Sequence, residues 1–181
     1  YCGVNDRTTD LFEGLWDLPL GVSYNSYIVR GSEASAIIDA SDSGHAPEYL
    51  SHVEETLEGG DPDYLVINHI EPDHSGVLPM LLDRYPDLKI VGNAKTADML
   101  KGFYGIESNV VVKAEGETLS LGDRTLQFIM TPMVHWPETM FTYLQEEGIL
   151  FTGDAFGCFG ALNGAVIDDD MMVDHYFREA Y

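Results

Sequence analysis

The sequence is poor in basic residues, in cysteine and in long apolar runs. Only 9 Lys and Arg residues stand against 31 Asp and Glu residues, so the formal net charge is −22. Nucleic acids and anionic membrane surfaces both require clustered cationic side chains, and this balance argues against either partner. No apolar run approaches the ~20 residues of a membrane-spanning helix. The two cysteines, Cys2 and Cys158, are too few for a disulfide framework and indicate a reducing, cytoplasmic compartment.

Length and composition predict a single globular domain over residues 1–181. The sequence begins at Tyr1 rather than at Met and ends at Tyr181 in an amphipathic stretch, so we expect the domain to be incomplete at its C-terminus. The acidity is typical both of a salt-rich habitat and of a solvated acidic surface that includes metal-binding carboxylates. Cys158 is interpreted as a buried thiol.

Short strand-like and helix-like segments alternate along the chain, which predicts an α/β domain with a mixed sheet or two packed sheets. Helical apolar spacing predicts helices over residues 47–57, 75–82 and 94–103. Short apolar or alternating runs predict strands over residues 23–29, 35–39, 64–67, 88–91, 110–112, 119–121, 126–130, 140–144 and 149–152. The last four strands follow one another without a helix, as in a strand meander.

Four potential metal ligands lie close together just after the predicted strand 64–67. They are His69, Glu71, Asp73 and His74. A loop between a strand and a helix is a place where side chains can converge on one point. A role in packing the hydrophobic core would not explain two histidines and two carboxylates within six consecutive residues. The segment therefore predicts a metal site, against the alternative of a surface loop with accidental ligands.

Two further candidate ligands follow predicted strands. His135 comes after strand 126–130, although a lone histidine beside Trp136 could equally be packed in the core. Asp154 follows Gly153 at the end of strand 149–152, although a Gly-Asp turn would also explain it. Taken together, the six residues form a nitrogen and oxygen donor set too large for one four-coordinate zinc ion. The set fits two metals, and a carboxylate such as Asp154 can bridge them.

The order His69-x-Glu71-x-Asp73-His74, followed by His135 and Asp154, resembles the ligand series of the metallo-β-lactamase superfamily. Hydrolytic members carry a histidine where this chain has Glu71, and that difference resembles the flavodiiron proteins (A-type flavoproteins, rubredoxin:oxygen oxidoreductases). The resemblance extends over essentially the whole chain. It includes the segments Gly21–Tyr27, Thr131–Thr139 and Phe151–Gly157.

The resemblance implies a metallo-β-lactamase-like αββα sandwich, C-terminally incomplete, that holds two non-haem irons. The ligands implied for the first iron are His69, Glu71 and His135. Asp154 would bridge the irons, and Asp73 and His74 would serve the second, with direct binding by His74 left open. An anionic oxygen donor at Glu71 in place of an imidazole favours the ferric state, which suits iron redox cycling better than zinc hydrolysis.

The activity that the resemblance implies is reduction of O2 to water, of NO to N2O, or of both. Electrons would come from FMN on a flavodoxin-like domain that this chain does not contain, supplied by rubredoxin or another reductase. In the family the flavin belongs to the neighbouring subunit of a head-to-tail homodimer, and we expect Glu71 and His135 to form the edge that faces it. The family's further histidine ligand is expected beyond Tyr181, and His175 is interpreted as a surface helix residue.

Two alternatives share most of these ligands. One is a di-iron oxygen-binding sensor with no flavin domain, which would act through a signalling partner. The other is a zinc hydrolase of the same superfamily, in which a metal-bound hydroxide attacks an ester or lactam. Glu71 argues against the hydrolase, and the identity of the metal distinguishes it from both di-iron hypotheses.

Overall fold

Two β-sheets and one layer of helices build most of the chain in the computed structural model, which describes residues 1–164 and 166–167. The helices are α1 (Ala46–Leu57), α2 (Pro72–Ser75), α3 (Leu78–Arg84) and α4 (Ala94–Tyr104), and a 3-10 turn covers Ser43–His45. The strands are β1 (Val4–Asp6), β2 (Leu11–Phe12), β3 (Trp16–Asp17), β4 (Val22–Tyr24), β5 (Tyr27–Arg30), β6 (Ser35–Ile38), β7 (Tyr64–Val66), β8 (Lys89–Gly92), β9 (Val110–Val112), β10 (Thr118–Ser120), β11 (Thr125–Met130), β12 (Met140–Leu144) and β13 (Ile149–Phe151).

A five-stranded mixed sheet in the order β5-β6-β7-β8-β9 lies at the centre of the fold. Strand β5 pairs antiparallel with β6, and the remaining pairs are parallel. The central strands are apolar on both faces, as expected of parallel strands that are covered on each side. The residues that face the helices are Ile37, Leu65 and Ile90, whereas Ile38, Val66 and Val91 face the second sheet.

The second sheet is an antiparallel meander in the order β10-β11-β12-β13. Its inward side chains include Leu126, Phe128 and Met140, which are fully buried against the first sheet. Alternation along β12 buries every second residue, which is the pattern of a strand with one face on a core. The loops that leave β7, β11 and β13 carry the candidate ligands.

The α/β sandwich expected from the sequence is confirmed. The described residues form one helical layer and two packed sheets, and within residues 1–164 no helix covers the outer face of the β10–β13 sheet. None of the helices in the described part of the chain is long and apolar enough to cross a membrane. His175 lies outside the described residues.

Two local predictions were wrong, and three short strands were missed. The predicted strand 23–29 is two strands, because buried Ser26 turns its hydroxyl to the carbonyl of Asp39 and separates β4, which pairs with β1, from β5, which pairs with β6. The predicted helix 75–82 is interrupted, because Pro79 has no N–H for the helical hydrogen bond and instead occupies the first turn of α3. The short strands β1, β2 and β3 near the N-terminus were not predicted.

Candidate metal centre

The loop that follows β7 is held in place by a buried carboxylate, Asp39. Its Oδ1 accepts the backbone N–H of Asn68 at 2.8 Å and that of His69 at 3.4 Å, while its Oδ2 accepts the Asn68 side-chain amide at 3.1 Å. Burial raises the pKa of Asp39, and the charge of His74 together with these hydrogen bonds partly offsets that effect. The backbone of the first candidate ligand is thus fixed by a residue 30 positions earlier in the chain.

We expect Asp39→Ala to lower the free energy of unfolding of the metal-free protein by about 3 kcal/mol, because each buried donor left unpaired costs roughly 1–3 kcal/mol. Urea unfolding measures the change. Asp63→Ala is the matched control, since the exposed Asp63 accepts one backbone N–H, from Ser35 at 2.8 Å. A loss in Asp39→Ala no larger than in the control would show that Asp39 does not hold the loop.

All six predicted site residues converge at one end of the two sheets, and four of them form a first group: His69, Glu71, His135 and Asp154. Oε2 of Glu71 lies 2.8 Å from Nε2 of His69 and 3.1 Å from Nε2 of His135. Oδ2 of Asp154 lies 3.3 Å from Nε2 of His135 and 3.7 Å from Nε2 of His69. Two imidazoles therefore present the same nitrogen to the same two carboxylates.

A second group consists of Asp73, His74 and Asp154. Nε2 of His74 lies 2.7 Å from Oδ1 of Asp154 and 3.3 Å from Oδ2 of Asp73. Asp154 thus offers one oxygen to each group. Asp154 therefore lies between the two groups, and its role as a bridging ligand stays a prediction.

The electrostatics of the second group reflect several charges packed together. Burial acts to lower the pKa of His74, but the hydrogen bond with Asp154 and the charge of Asp73 outweigh it and raise that pKa to about 10. Burial raises the pKa of Asp73 to about 6. Burial also acts to raise the pKa of Asp154, but the neighbouring imidazoles lower it to about 2. The cluster therefore holds excess negative charge that a cation would neutralise.

The residues present suit metal ions. Imidazole nitrogens and carboxylate oxygens are donors typical of iron, zinc and manganese. Oδ1 of Asp73 is buried and has no hydrogen-bond partner among the described residues, a costly arrangement that a bound cation would remedy. No thiol takes part in either group.

Glu138 was not singled out from the sequence, although it lies in the segment Thr131–Thr139. Its buried Oε1 accepts Nδ1–H of His69 at 2.8 Å and the backbone N–H of Ile70 at 3.0 Å. Burial acts to raise the pKa of Glu138, but these hydrogen bonds lower it, so the side chain is ionised. The only available signal was an acidic residue three positions after His135.

A cavity of about 590 Å³ opens onto the two groups. Tyr24, Phe151 and Cys158 are among the residues that line it. The interpretation of Cys158 as a buried thiol was wrong, because the residue is exposed in the loop after Asp154. That loop follows the last predicted strand, and the strand pattern carried no information about its exposure. Trp136 packs edge-on against the ring of His69, with ring centroids 5.2 Å apart.

The two packed sheets, the helical layer and the ligand-bearing loops at one end of the strands define a protein with the metallo-β-lactamase-like fold. The chain belongs to the family described as ODP family beta lactamase, whose sequence profile matches residues 22–179.

Two relatives and two solved structures show which proteins the chain resembles. It is 38% identical to a type A flavoprotein of Rhodobacter capsulatus over 98% of this chain and 42% of that protein. It is 40% identical to an anaerobic nitric oxide reductase flavorubredoxin of Salmonella typhi over 76% of this chain and 29% of that protein. The flavodiiron protein of Giardia intestinalis superposes with a TM-score of 0.90 at 32% identity, covering 98% of this chain and 43% of that one. The rubredoxin oxygen:oxidoreductase of Desulfovibrio gigas superposes with a TM-score of 0.91 at 31% identity, covering 98% and 44%.

These matches confirm the resemblance to flavodiiron proteins that the ligand series predicted. The chain spans less than half the length of each of these four proteins.

Proposed function

We propose that the chain is the di-iron domain of an oxidoreductase that reduces O2 to water, NO to N2O, or both. The observation that carries the proposal is the position of Glu71. Its carboxylate lies 2.8 Å and 3.1 Å from the Nε2 atoms of two histidines, in the place where hydrolytic members of the superfamily have a third imidazole. An anionic oxygen donor there favours iron over zinc.

The residues that would hold the irons follow the two groups. His69, Glu71 and His135 would hold the first ion, and Asp154 would be shared. Asp73 and His74 would serve the second ion, and the Nε2 atom of His74, 2.7 Å from the shared carboxylate, supports direct binding. When bound, the two irons would supply electrons jointly to one small molecule.

Residues of the chain outside the ligand set hold the ligand loop in place and line the cavity. Asp39 and Glu138 fix the backbone on either side of His69 through hydrogen bonds to the N–H groups of Asn68 and Ile70. Aromatic side chains, including Tyr24 and Phe151, line the cavity beside the cluster.

Electrons would arrive from FMN on a flavodoxin-like domain outside these 181 residues, with rubredoxin or another reductase as the donor. His135 supports an approach from its side of the cluster, because its side chain is 56% exposed while those of His69 and His74 are 1% and 10% exposed. We propose that this edge, formed by Glu71 and His135, faces the flavin of the partner subunit in a head-to-tail homodimer. A cytoplasmic location fits this assignment.

Turnover by the full-length protein tests the assignment. The protein, loaded with iron and FMN and reduced through rubredoxin and its reductase, should consume O2 or NO in an electrode cell. The same preparation loaded with zinc should be inactive. Iron-dependent O2 binding without turnover would favour the flavin-free sensor. Zinc-dependent hydrolysis of a thioester or a lactam, with no reductase activity, would favour the hydrolase and overturn the proposal.

A further inference from the structure

Glu138 contacts the side of His69 that faces away from the metal groups. A carboxylate only accepts hydrogen bonds, so the 2.8 Å contact with Glu138 keeps a proton on Nδ1 of His69, and a metal ion bound at Nε2 would replace the proton that Glu71 accepts there at 2.8 Å. The opposite nitrogen, Nε2, then faces Glu71 and Asp154. Both residues of this pair are almost completely buried, with side chains 1% exposed, so water does not screen the interaction.

Several contacts fix Glu138 in this position. Its own carbonyl accepts the side-chain amide of Asn93 at 2.6 Å, and Asn93 also caps helix α4 through the N–H of Thr96. Two residues further on, the N–H of Met140 donates to the carbonyl of Asn68 at 3.0 Å. The start of β12 is thereby tied both to the helical layer and to the loop that bears His69. Glu138 is held more rigidly than a surface carboxylate would be.

We propose that Glu138 is a positioning residue for the metal centre. This inference rests on the proposed function. Glu138 keeps the His69 proton on Nδ1, turns the lone pair of Nε2 toward the metal, and adds negative charge to the imidazole. Carboxylates that contact the remote nitrogen of a metal-bound histidine raise the basicity of that ligand. The added charge stabilises Fe(III) more than Fe(II), so Glu138 should lower the midpoint potential of the iron bound by His69.

Two substitutions in the full-length protein separate the charge of Glu138 from its shape. Glu138→Ala removes both, whereas Glu138→Gln keeps an oxygen that can accept from His69 and Ile70 but removes the charge. Affinities for Fe²⁺ and for Zn²⁺ are measured by competition with a chelator. The midpoint potential is measured by a redox titration followed by electron paramagnetic resonance, and the melting temperature of the metal-free protein reports any structural effect.

We expect Glu138→Ala to bind both ions about 10–100-fold more weakly, the range found when such contacts are lost. Glu138→Gln should bind more tightly than Glu138→Ala and should show a midpoint potential more positive than that of the unmodified protein. Glu115→Gln is the control for loss of a charge that accepts a backbone N–H, because the exposed Glu115 accepts that of Met130 at 2.6 Å, and it should leave both quantities unchanged.

Glu138→Gln decides the question even if Glu138→Ala does not fold. A change in its affinity or potential, at an unchanged melting temperature, supports the proposal. Affinities for both ions and a potential equal to those of the unmodified protein would overturn it and leave Glu138 as a structural residue. Failure of the proposed function would be seen separately, as an unmodified protein that carries zinc and reduces neither O2 nor NO, and the Zn²⁺ competition would still test Glu138.

Discussion

Glu71→His is expected to remove most of the bound iron and to lower O2 and NO reduction more than about tenfold, since even loss of an outer contact to a ligand costs 10–100-fold. Glu71 brings one oxygen within 3.1 Å of two imidazoles, and apart from the shared Asp154 it is the only anionic donor in the first group. A third imidazole would make this group a nitrogen-rich site of the kind that suits zinc. Metal analysis and turnover of the iron-reconstituted, full-length variant measure both effects.

Glu13→His controls for the new imidazole, because Glu13 lines the same cavity without belonging to either group. That variant should keep its iron and its activity. A Glu71→His protein with full iron and full reductase activity would show that the anionic donor does not select iron.

Asp154→Asn is expected to reduce the metal content of both groups and to lower turnover by more than about 100-fold, since even loss of an outer contact to a metal ligand costs 10–100-fold. Asp154 places one oxygen 2.7 Å from His74 and the other 3.3 Å from His135. An amide keeps the shape of the side chain but offers one neutral oxygen and an N–H donor, so it cannot serve two cations. Metal content per chain and the initial rates of O2 and NO consumption provide the measurements.

Asp83→Asn removes the same charge from an exposed position on α3 and serves as the comparison. It should leave metal content and rates unchanged. If Asp154→Asn retained two metals per chain, Asp154 would not be the shared ligand, and the division of the six residues into two groups would have to be redrawn.

Much of the fold could be predicted because the core strands are short apolar runs separated by clear turn residues. Helices α1 and α4 were predicted to within one residue at each end, and the meander β10–β13 was predicted strand by strand. The errors occurred where a tertiary contact or a backbone constraint overrode the local pattern. Ser26 interrupts an alternating strand to reach Asp39, and Pro79 interrupts a helical pattern.

The six candidate ligands could be predicted because they differ chemically from the apolar segments around them. Asp39 and Glu138 could not, because their importance depends on contacts with His69 and its neighbours across 30 and 69 positions of the chain. Asp39 was included only as the last residue of a predicted strand, and Glu138 stood beside His135 and Trp136 without a distinguishing pattern. A carboxylate that accepts a hydrogen bond from the remote nitrogen of a ligand histidine has no characteristic spacing from that histidine in the sequence.

The identity and number of the bound metals decide between a di-iron and a zinc centre. The full-length protein, purified without oxygen and without added metal, would be analysed for iron and zinc per chain and by Mössbauer spectroscopy. We expect two irons per chain, one for each group of ligands, with spectra of non-haem iron in nitrogen and oxygen coordination. Stoichiometric zinc with no iron would contradict this expectation and would make Glu71 a ligand of a hydrolytic site.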